Sequence, residues 1–579
     1  MSNSAWWKDA VFYQIYPRSF QDSNGDGIGD LPGITSRLPY FSGSEDSLGI
    51  EALWISPFYP SPMVDFGYDI SDYTDVDKLF GSLEDFKTLL AEAKRLNIKV
   101  IIDLVINHTS DQHPWFLEAR SSIDNPKRNW YIWHPGQPRT GPAKAAGKRP
   151  KRPNNWISMF ELRNAWWWEP TTKEYYYGSF TRNQPEVDWR NPELKRAMYN
   201  VMRFWLDLGA DGYRIDVVNW FIKDDQFRNN PFSFNVDPDL FQKHIYDRNR
   251  PETHDICREM RQVTEEYTAR DGRDRILVGE VFDHDPSNAA AYQNHHNQEL
   301  HLAFNFDFLA QPWSASRFYN SIRKWYDAIG NEGWPNFTLS NHDRRRHYGR
   351  YRKPGCTLAR ARVAAAMLLT LRGTPFLYYG EEIGMNNLRI HHRELQDPLG
   401  IRMWPLWWYG RDPERTPMQW DSTPHAGFCP PEVRPWLRVH HNYVRKNVAA
   451  QQRDPKSLWH WYRSLIALRK SEQLLRSGEI EFLRKGGGNV LAYRRWLGAG
   501  HAGQPGHAGQ PGGAGGAGGS ILVVLNFGLR LFGQLPKELA ALLPAEGAEL
   551  LLGTHAQPGT RIQAGHGLAP HEVLVLRLE

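Results

Sequence analysis

The chain has 579 residues, 41% hydrophobic and 23% charged, the balance of a globular protein built from two or three domains. Seventy Lys and Arg against 65 Asp and Glu leave a net charge of +5, which at this length excludes a nucleic-acid footprint. The excess is in aromatics, 13% of the chain with 24 tryptophans; their flat apolar rings suit stacking on sugars as well as core packing. Cys257, Cys356 and Cys429 lie far apart, too sparse for a disulfide framework or a Cys-based zinc site. No apolar run reaches the roughly 18 residues of a membrane span. Met1 to Lys8 carries no cationic start followed by an apolar run, so no signal peptide is expected. These features predict a cytoplasmic protein, a monomer or small homo-oligomer, with no nucleic-acid or membrane partner.

In chain order, short β-rich runs alternate with helical periods. Phe12 to Tyr16, Ala52 to Pro57 and Val100 to Ile106 read as strands. Between the last two, Ser82 with Asp85 marks a helix start, and Phe86, Leu89, Leu90, Ala93 and Leu96 share one face. A helix over Pro192 to Leu208 feeds a strand over Gly212 to Val218. Another over Thr253 to Tyr267 feeds Ile276 to Phe282. Phe304 to Phe306 and Phe337 to Ser340 follow, and a helix over Ala359 to Leu371 precedes Pro375 to Gly380. Eight such strand–helix units predict an α/β fold, a (β/α)8 TIM barrel.

Two stretches break the pattern. Residues 109–188 are rich in Pro, Arg, Asn and Trp without helical period, and predict an insertion after strand 3 that splits the barrel into 1–108 and 189–473. Within it, Trp166-Trp167-Trp168 is read as a staple of the insertion rather than a sugar platform. Residues 474–579 carry alternating apolar runs at Asn489 to Leu497, Ile521 to Phe527, Ala548 to Leu552 and Val573 to Leu578, and predict a C-terminal antiparallel β-sandwich. A Gly-rich segment, 498–520, repeats His-Ala-Gly-Gln-Pro-Gly and is expected to be a flexible insertion.

Active sites of barrels lie at the C-terminal ends of the strands. Asp103 with Asn107-His108, Arg214 with Asp216, Glu280, and Asn341-His342-Asp343 all fall there. Carboxylates converging from separate strands suit glycoside hydrolysis, in which one attacks and another donates a proton. Arg214 lies two residues before Asp216, on the same strand face, and is expected to lower the Asp216 pKa and keep that group ionised. Glu280 in an apolar rim is the expected proton donor.

The strings Asp103-Leu-Val-Ile-Asn-His108, Gly212-Tyr-Arg-Ile-Asp-Val217, Gly279-Glu280 and Asn341-His-Asp343 resemble the four signature regions of the α-amylase superfamily (glycoside hydrolase family 13). The resemblance implies Asp216 as nucleophile, Glu280 as general acid/base and Asp343 as transition-state stabiliser. His108, Arg214 and His342 would bind sugar hydroxyls, and 109–188 would be the family's B domain. Gly67-Tyr68-Asp69-Ile70 resembles the stretch that closes the non-reducing end in α-glucosidases. There Tyr68 would stack on the sugar, and Asp69 would pair with Arg411 of the run Arg411 to Trp420. Phe160 resembles the B-domain residue at the pocket mouth.

Asp22, Asn24, Asp26 and Asp30 alternate with small residues, an oxygen donor pattern for a hard cation. An EF-hand fails, because Gly33 stands at the twelfth position. The string resembles the metal loop of oligo-1,6-glucosidase-like enzymes, which implies a structural Ca²⁺ or Mg²⁺ on those four side chains and the Ile28 carbonyl. Val217 after the nucleophile goes with α-1,6 activity in such relatives. Gln184-Pro-Glu186-Val-Asp188 departs from that group's Gln-Pro-Asp-Leu-Asn and leaves the subgroup open. The implied function is an exo-acting retaining α-glucosidase on short α-glucosides, α-1,6 or α-1,4, with sucrose and trehalose as further candidates. A trehalose synthase or α-transglucosylase with the same triad is the alternative. A non-catalytic member is disfavoured, since all three acids are present.

Overall fold

Strands buried on both faces favour apolar runs, and most of the eight central strands have them. In the computed structural model, which describes residues 5–140, 148–234, 240–283, 285–293, 298–406, 410–498 and 519–578, they are β1 (Phe12–Ile15), β2 (Ala52–Ile55), β3 (Lys99–Leu104), β4 (Gly212–Ile215), β5 (Ile276–Gly279), β6 (Leu302–Ala303), β7 (Asn336–Thr338) and β8 (Thr374–Tyr378). They pair in parallel in the order β7-β8-β1-β2-β3-β4-β5-β6, a nearly closed barrel.

Two-residue periodicity sorts their side chains. Phe12, Ala52, Trp54, Ile101, Ile276, Val278, Leu302 and Phe376 form a core cluster of their own. The neighbouring positions, among them Tyr13, Leu53, Val100, Ile102, Tyr213 and Leu277, join the helices in the main core. Two residues beyond Phe12, Ile101 and Val278, the inner face presents Gln14, Asp103 and Glu280. The alternation that fills the lower lumen with apolar groups thus delivers charged groups to its upper end.

The helices begin and end where their caps dictate. Ser82 and Asp85 form the reciprocal capping box before Leu83–Arg95. The Asn191 side chain accepts from the Glu193 and Leu194 N–H groups before Pro192–Leu208, and Gly209 (φ 114°) ends that helix. Thr253–Asp271 runs past the expected Tyr267 to a left-handed Gly272. The sixth strand lies at Leu302–Ala303 rather than at Phe304 to Phe306. The cause is local: Asn305 accepts from the Phe308 N–H and starts the helix Phe306–Ala310.

Between β3 and β4 lies a three-stranded antiparallel sheet of Trp133–His134, Glu174–Tyr177 and Trp166–Glu169. Trp166 packs with Trp156 and Tyr177, and Trp167 joins the main core, so both tryptophans bind the insertion together. At the C-terminus Glu479–Lys485, Val490–Trp496, Ser520–Asn526, Val573–Leu578, Ala548–Gly553 and Arg561–Ile562 form one six-stranded antiparallel sheet. Among the described residues its second layer is not another sheet. One face, with Leu491, Tyr493, Ile521 and Val523, packs on the barrel core. The other, with Val490, Ala492, Leu522 and Val524, is covered by Leu535, Leu539 and Leu568. Most of the Gly-rich segment, 499–518, lies outside the described residues. Among the described residues no helix is long and apolar enough to cross a membrane, and the three cysteines are unpaired.

Candidate active site

Arg214 organises the upper end of the barrel. Its Nη1 lies 2.6 Å from Asp103 and 2.8 Å from Asp216, and its Nη2 lies 2.7 Å from Glu280. The Trp54 indole donates to Asp103 at 2.9 Å and lies under the guanidinium, 5.1 Å from ring centre. Three carboxyls thus surround one cation in a buried site, with Asp216 on Nη1 and Glu280 on Nη2 of the same guanidinium. Burial raises the Asp216 carboxyl well above its ordinary value; Arg214 opposes this, and the negative charges of Glu280 and Asp103 add to it. The expectation that Arg214 would depress Asp216 therefore fails, because burial, with the charges of Glu280 and Asp103 added to it, outweighs one guanidinium shared among three acids. Burial likewise raises Asp103, to about 6.

The residue after Asp216 holds an unusual backbone. Val217 sits at φ 39°, ψ 48°, a left-handed conformation that β-branched residues rarely adopt. Its N–H donates to Glu280 Oε2 at 3.3 Å, and its side chain packs with Phe180 and Trp220, with Met159 and Phe160 against them. The turn that ends β4 is thereby locked to the residue that ends β5.

Asp343 lies in a second cationic nest. Arg415 contacts it at 2.7 Å, Arg411 at 3.3 Å and His342 Nε2 at 3.2 Å. Burial works against its ionisation, but these neighbours outweigh burial and hold the carboxyl well below the usual range. His342 is kept neutral by burial: Gln14 Nε2 donates to its Nδ1 at 2.7 Å, leaving the Nε2–H to face Asp343 and the Tyr68 hydroxyl, 2.5 Å away. The Tyr68 ring stacks on the imidazole at 5.4 Å and 5°. His108, pushed down to about 4 by burial, donates from Nε2 to the Tyr68 carbonyl at 2.9 Å.

Arg411 corrects the sequence reading. It does not pair with Asp69. Its partners are Asp65 at 2.6 Å and Asp397 at 2.7 Å, with Asp343 beyond. The Asp69 carboxylate is fully buried and occupied by its own loop, accepting from Ser61 Oγ at 2.8 Å, Val64 N at 2.9 Å and Asp65 N at 3.0 Å. Left-handed turns at Met63, Phe66 and Gly67 turn Asp65 inward and Asp69 back on the chain. Phe160 covers the Arg411 guanidinium at 4.4 Å, and Gln184 Nε2 donates to Asp65 at 3.1 Å.

The family profile described as Alpha amylase, catalytic domain, matches residues 14–478. The chain belongs to the α-amylase family. Among its relatives in that family, a probable α-glucosidase of Rhizobium meliloti is 43% identical, covering 85% of this chain and 87% of its own length. An oligo-1,6-glucosidase of Parageobacillus thermoglucosidasius is 38% identical, covering 85% and 88%. Among solved structures, the α-glucosyl transfer enzyme XgtA is 37% identical, with a TM-score of 0.84 over 100% of both chains. The trehalulose synthase MutB from Pseudomonas mesoacidophila MX-45 is 32% identical, with a TM-score of 0.83 over 100% of both.

Sequence reasoning about this α-amylase family member missed Asp65, Asp397 and Arg415, and a buried ion pair of Lys223 with Glu186 beside Asn107. Asp65 had a signal, a second acid four residues before Asp69, but nothing in the sequence says which one faces inward. The Asp22 to Asp30 loop folds on its own oxygens. Asp22 accepts from the N–H groups of Asn24, Gly25 and Gly27 at 3.1, 2.7 and 2.9 Å, Asp26 from that of Ile28 at 2.8 Å, and Asp30 from that of Gly33 at 2.6 Å. Its donors are all oxygens and suit a hard cation, and among the described residues none of the three acids has a Lys or Arg ion-pair partner. Among those residues no three acidic, His or Cys side chains converge closely enough to hold a metal, so a cation would have to draw them together.

Proposed function

We propose that this chain is an exo-acting retaining α-glucosidase that releases glucose from the non-reducing end of short α-glucosides. The observation that carries the reading is the pair of neighbouring carboxyls, Asp216 and Glu280, held on one guanidinium. An inverting enzyme needs room for a water between its acids, about 6.5–9.5 Å, whereas a retaining one holds them about 5–5.5 Å apart. In the reaction, Asp216 attacks the anomeric carbon while Glu280 protonates the leaving oxygen. Water, deprotonated by Glu280, then displaces Asp216 and restores the α configuration. Asp343, held ionised by Arg411 and Arg415, balances the positive charge that develops on the ring. The Asp65–Arg411–Asp397 cluster under Phe160 closes one end of the site, which favours a terminal glucose over an internal one.

Proton NMR of the first product from maltose, isomaltose, sucrose, trehalose and panose tests this. The expected result is α-glucose before mutarotation; β-glucose as the first anomer overturns the retaining reading. The likeness to XgtA and to a trehalulose synthase supports one rival, in which a sugar rather than water takes the glucosyl group. Isomerised disaccharide as the main product would favour that rival over hydrolysis.

The same proposal extends to the Asp22 to Asp30 loop, with Asp22, Asn24, Asp26, Asp30 and the Ile28 carbonyl taking a structural Ca²⁺ or Mg²⁺. What supports it is the all-oxygen donor set. The ion would neutralise the loop and take no part in bond cleavage. Chelation should lower the melting temperature and Ca²⁺ should restore it; an unchanged melt overturns the assignment. The unpaired cysteines suit a reducing, cytoplasmic setting.

A further inference from the structure

Arg344, Arg345 and Arg346 follow Asp343 directly, and the structure sends them to different places. Arg346 is buried, donates to the Tyr379 carbonyl and lies over the Tyr378 and Tyr379 rings at 4.5 and 4.4 Å. Arg345 is drawn toward Glu414. Arg344 is half-buried and turns the other way, with its guanidinium 5.3 Å over the ring of Phe282. Among the described residues it forms no ion pair. The nearest chain-neighbour acid of Phe282, Asp283, is occupied by the side-chain amides of Asn249 and Asn288, each at 2.8 Å.

Phe282 lies two residues beyond Glu280, and its ring meets Phe306 edge-on at 5.2 Å. These groups come from the loops after β5, β6 and β7. On the α-glucosidase reading, a terminal glucose would rest against the end of the site closed by Asp65, Arg411 and Tyr68. On that reading Glu280 would protonate the leaving oxygen, and a leaving group directed away from the Arg411 end would run past Phe282 toward the Arg344 that lies over its ring. A guanidinium supported by a ring face, with its planar fork free of carboxylates, is suited to bidentate recognition of an oxyanion.

We propose that Arg344, seated on Phe282, is a specificity-determining residue of the aglycone site, and that it selects α-glucosides whose leaving group carries an anion, a carboxylate or a phosphate monoester, over neutral ones. The inference rests on the α-glucosidase reading and deepens it.

The test compares kcat/KM of the full chain on maltose and isomaltose with that on 2-O-α-glucosylglycerate and on maltose phosphorylated at O6 of the reducing glucose. The expected result is a preference of about tenfold or more for at least one anionic substrate, weakening as salt is raised. Arg344→Gln should erase that preference and Arg344→Lys should restore part of it. The two anionic substrates separate a carboxylate from a phosphate preference. If the neutral disaccharides are cleaved as well as both anionic ones, or if Arg344→Gln keeps the preference, this inference falls and the α-glucosidase reading stands. If no α-glucoside in the panel is cleaved, the α-glucosidase reading itself falls.

Discussion

Buried arginines occur in two regions of this molecule, and the two sets are satisfied in opposite ways. At the top of the barrel, Arg214 and Arg411 face carboxylates, and although burial opposes their charge, those acids raise both well above the ordinary value. At the joint between barrel and C-terminal sheet, Arg469 and Arg495 face carbonyls. Arg469 donates to Leu369, Leu371 and Gly373 at 3.1, 3.3 and 2.6 Å. Arg495 donates to Thr370, Gly478 and Glu479 at 2.6, 2.8 and 3.1 Å. Burial pushes both downward. The joint uses guanidiniums to satisfy carbonyls left without strand or helix partners, among them those of Leu369 and Thr370 at the end of the helix Thr357–Thr370. The barrel top uses them to hold like charges together, an arrangement that costs stability by itself and is retained where charge must develop during a reaction.

That contrast predicts opposite phenotypes. Arg214→Met should lower kcat by about 10³-fold or more, since Asp216 and Glu280 lose the cation that sets their spacing. Steady-state kinetics on any cleaved α-glucoside checks it, and retention of a tenth of the activity would break the comparison from the catalytic side. Asp65→Asn should lower kcat/KM by about 10²-fold, because Arg411 loses a charged partner. Asp69→Asn should act on the melt instead, by about 1–2 kcal/mol, with kcat/KM changed only a few-fold. A reversed order would return the sugar-binding role to Asp69.

Arg495→Met should destabilise the fold by about 2–3 kcal/mol, through carbonyls left without donors, with kcat within about twofold. Urea unfolding and kinetics on one preparation check both. The smallest expected effect is on pH dependence. Asp216 must be ionised to attack, and its carboxyl is raised by burial and by negative neighbours, Asp103 among them. Asp103→Asn removes one of those charges, so Asp216 ionises at lower pH. The acid limb of kcat/KM should therefore move to lower pH; a limb that stays or moves up contradicts the shared-charge account.

Much of this was legible in the sequence because period-two alternation is a backbone property. Once Ile101 and Val278 point into the lumen, Asp103 and Glu280 must follow. The caps at Ser82 and Asn191 are local in the same sense. The position of the sixth strand was less legible, since Phe304 to Phe306 has strand composition and the Asn305 cap decides against it. Asp65 was illegible for a different reason: three left-handed residues at Met63, Phe66 and Gly67 re-aim the loop, and spacing rules assume a regular backbone. The direction of the Asp216 shift was missed because it depends on how deeply the carboxyl is buried and on how many acids share one guanidinium, which only the assembled site shows.

The central claim is that Asp216 forms a covalent bond to glucose. Glu280→Gln with α-glucosyl fluoride tests it most directly. Fluoride leaves without acid assistance, so the C1–F bond breaks as the Asp216 Oδ–C1 bond forms, and the missing base slows hydrolysis. Intact-mass analysis should show one anhydroglucose added, and peptide mapping should place it on Asp216. An adduct on another residue, or none while the wild-type chain consumes the fluoride, contradicts the account.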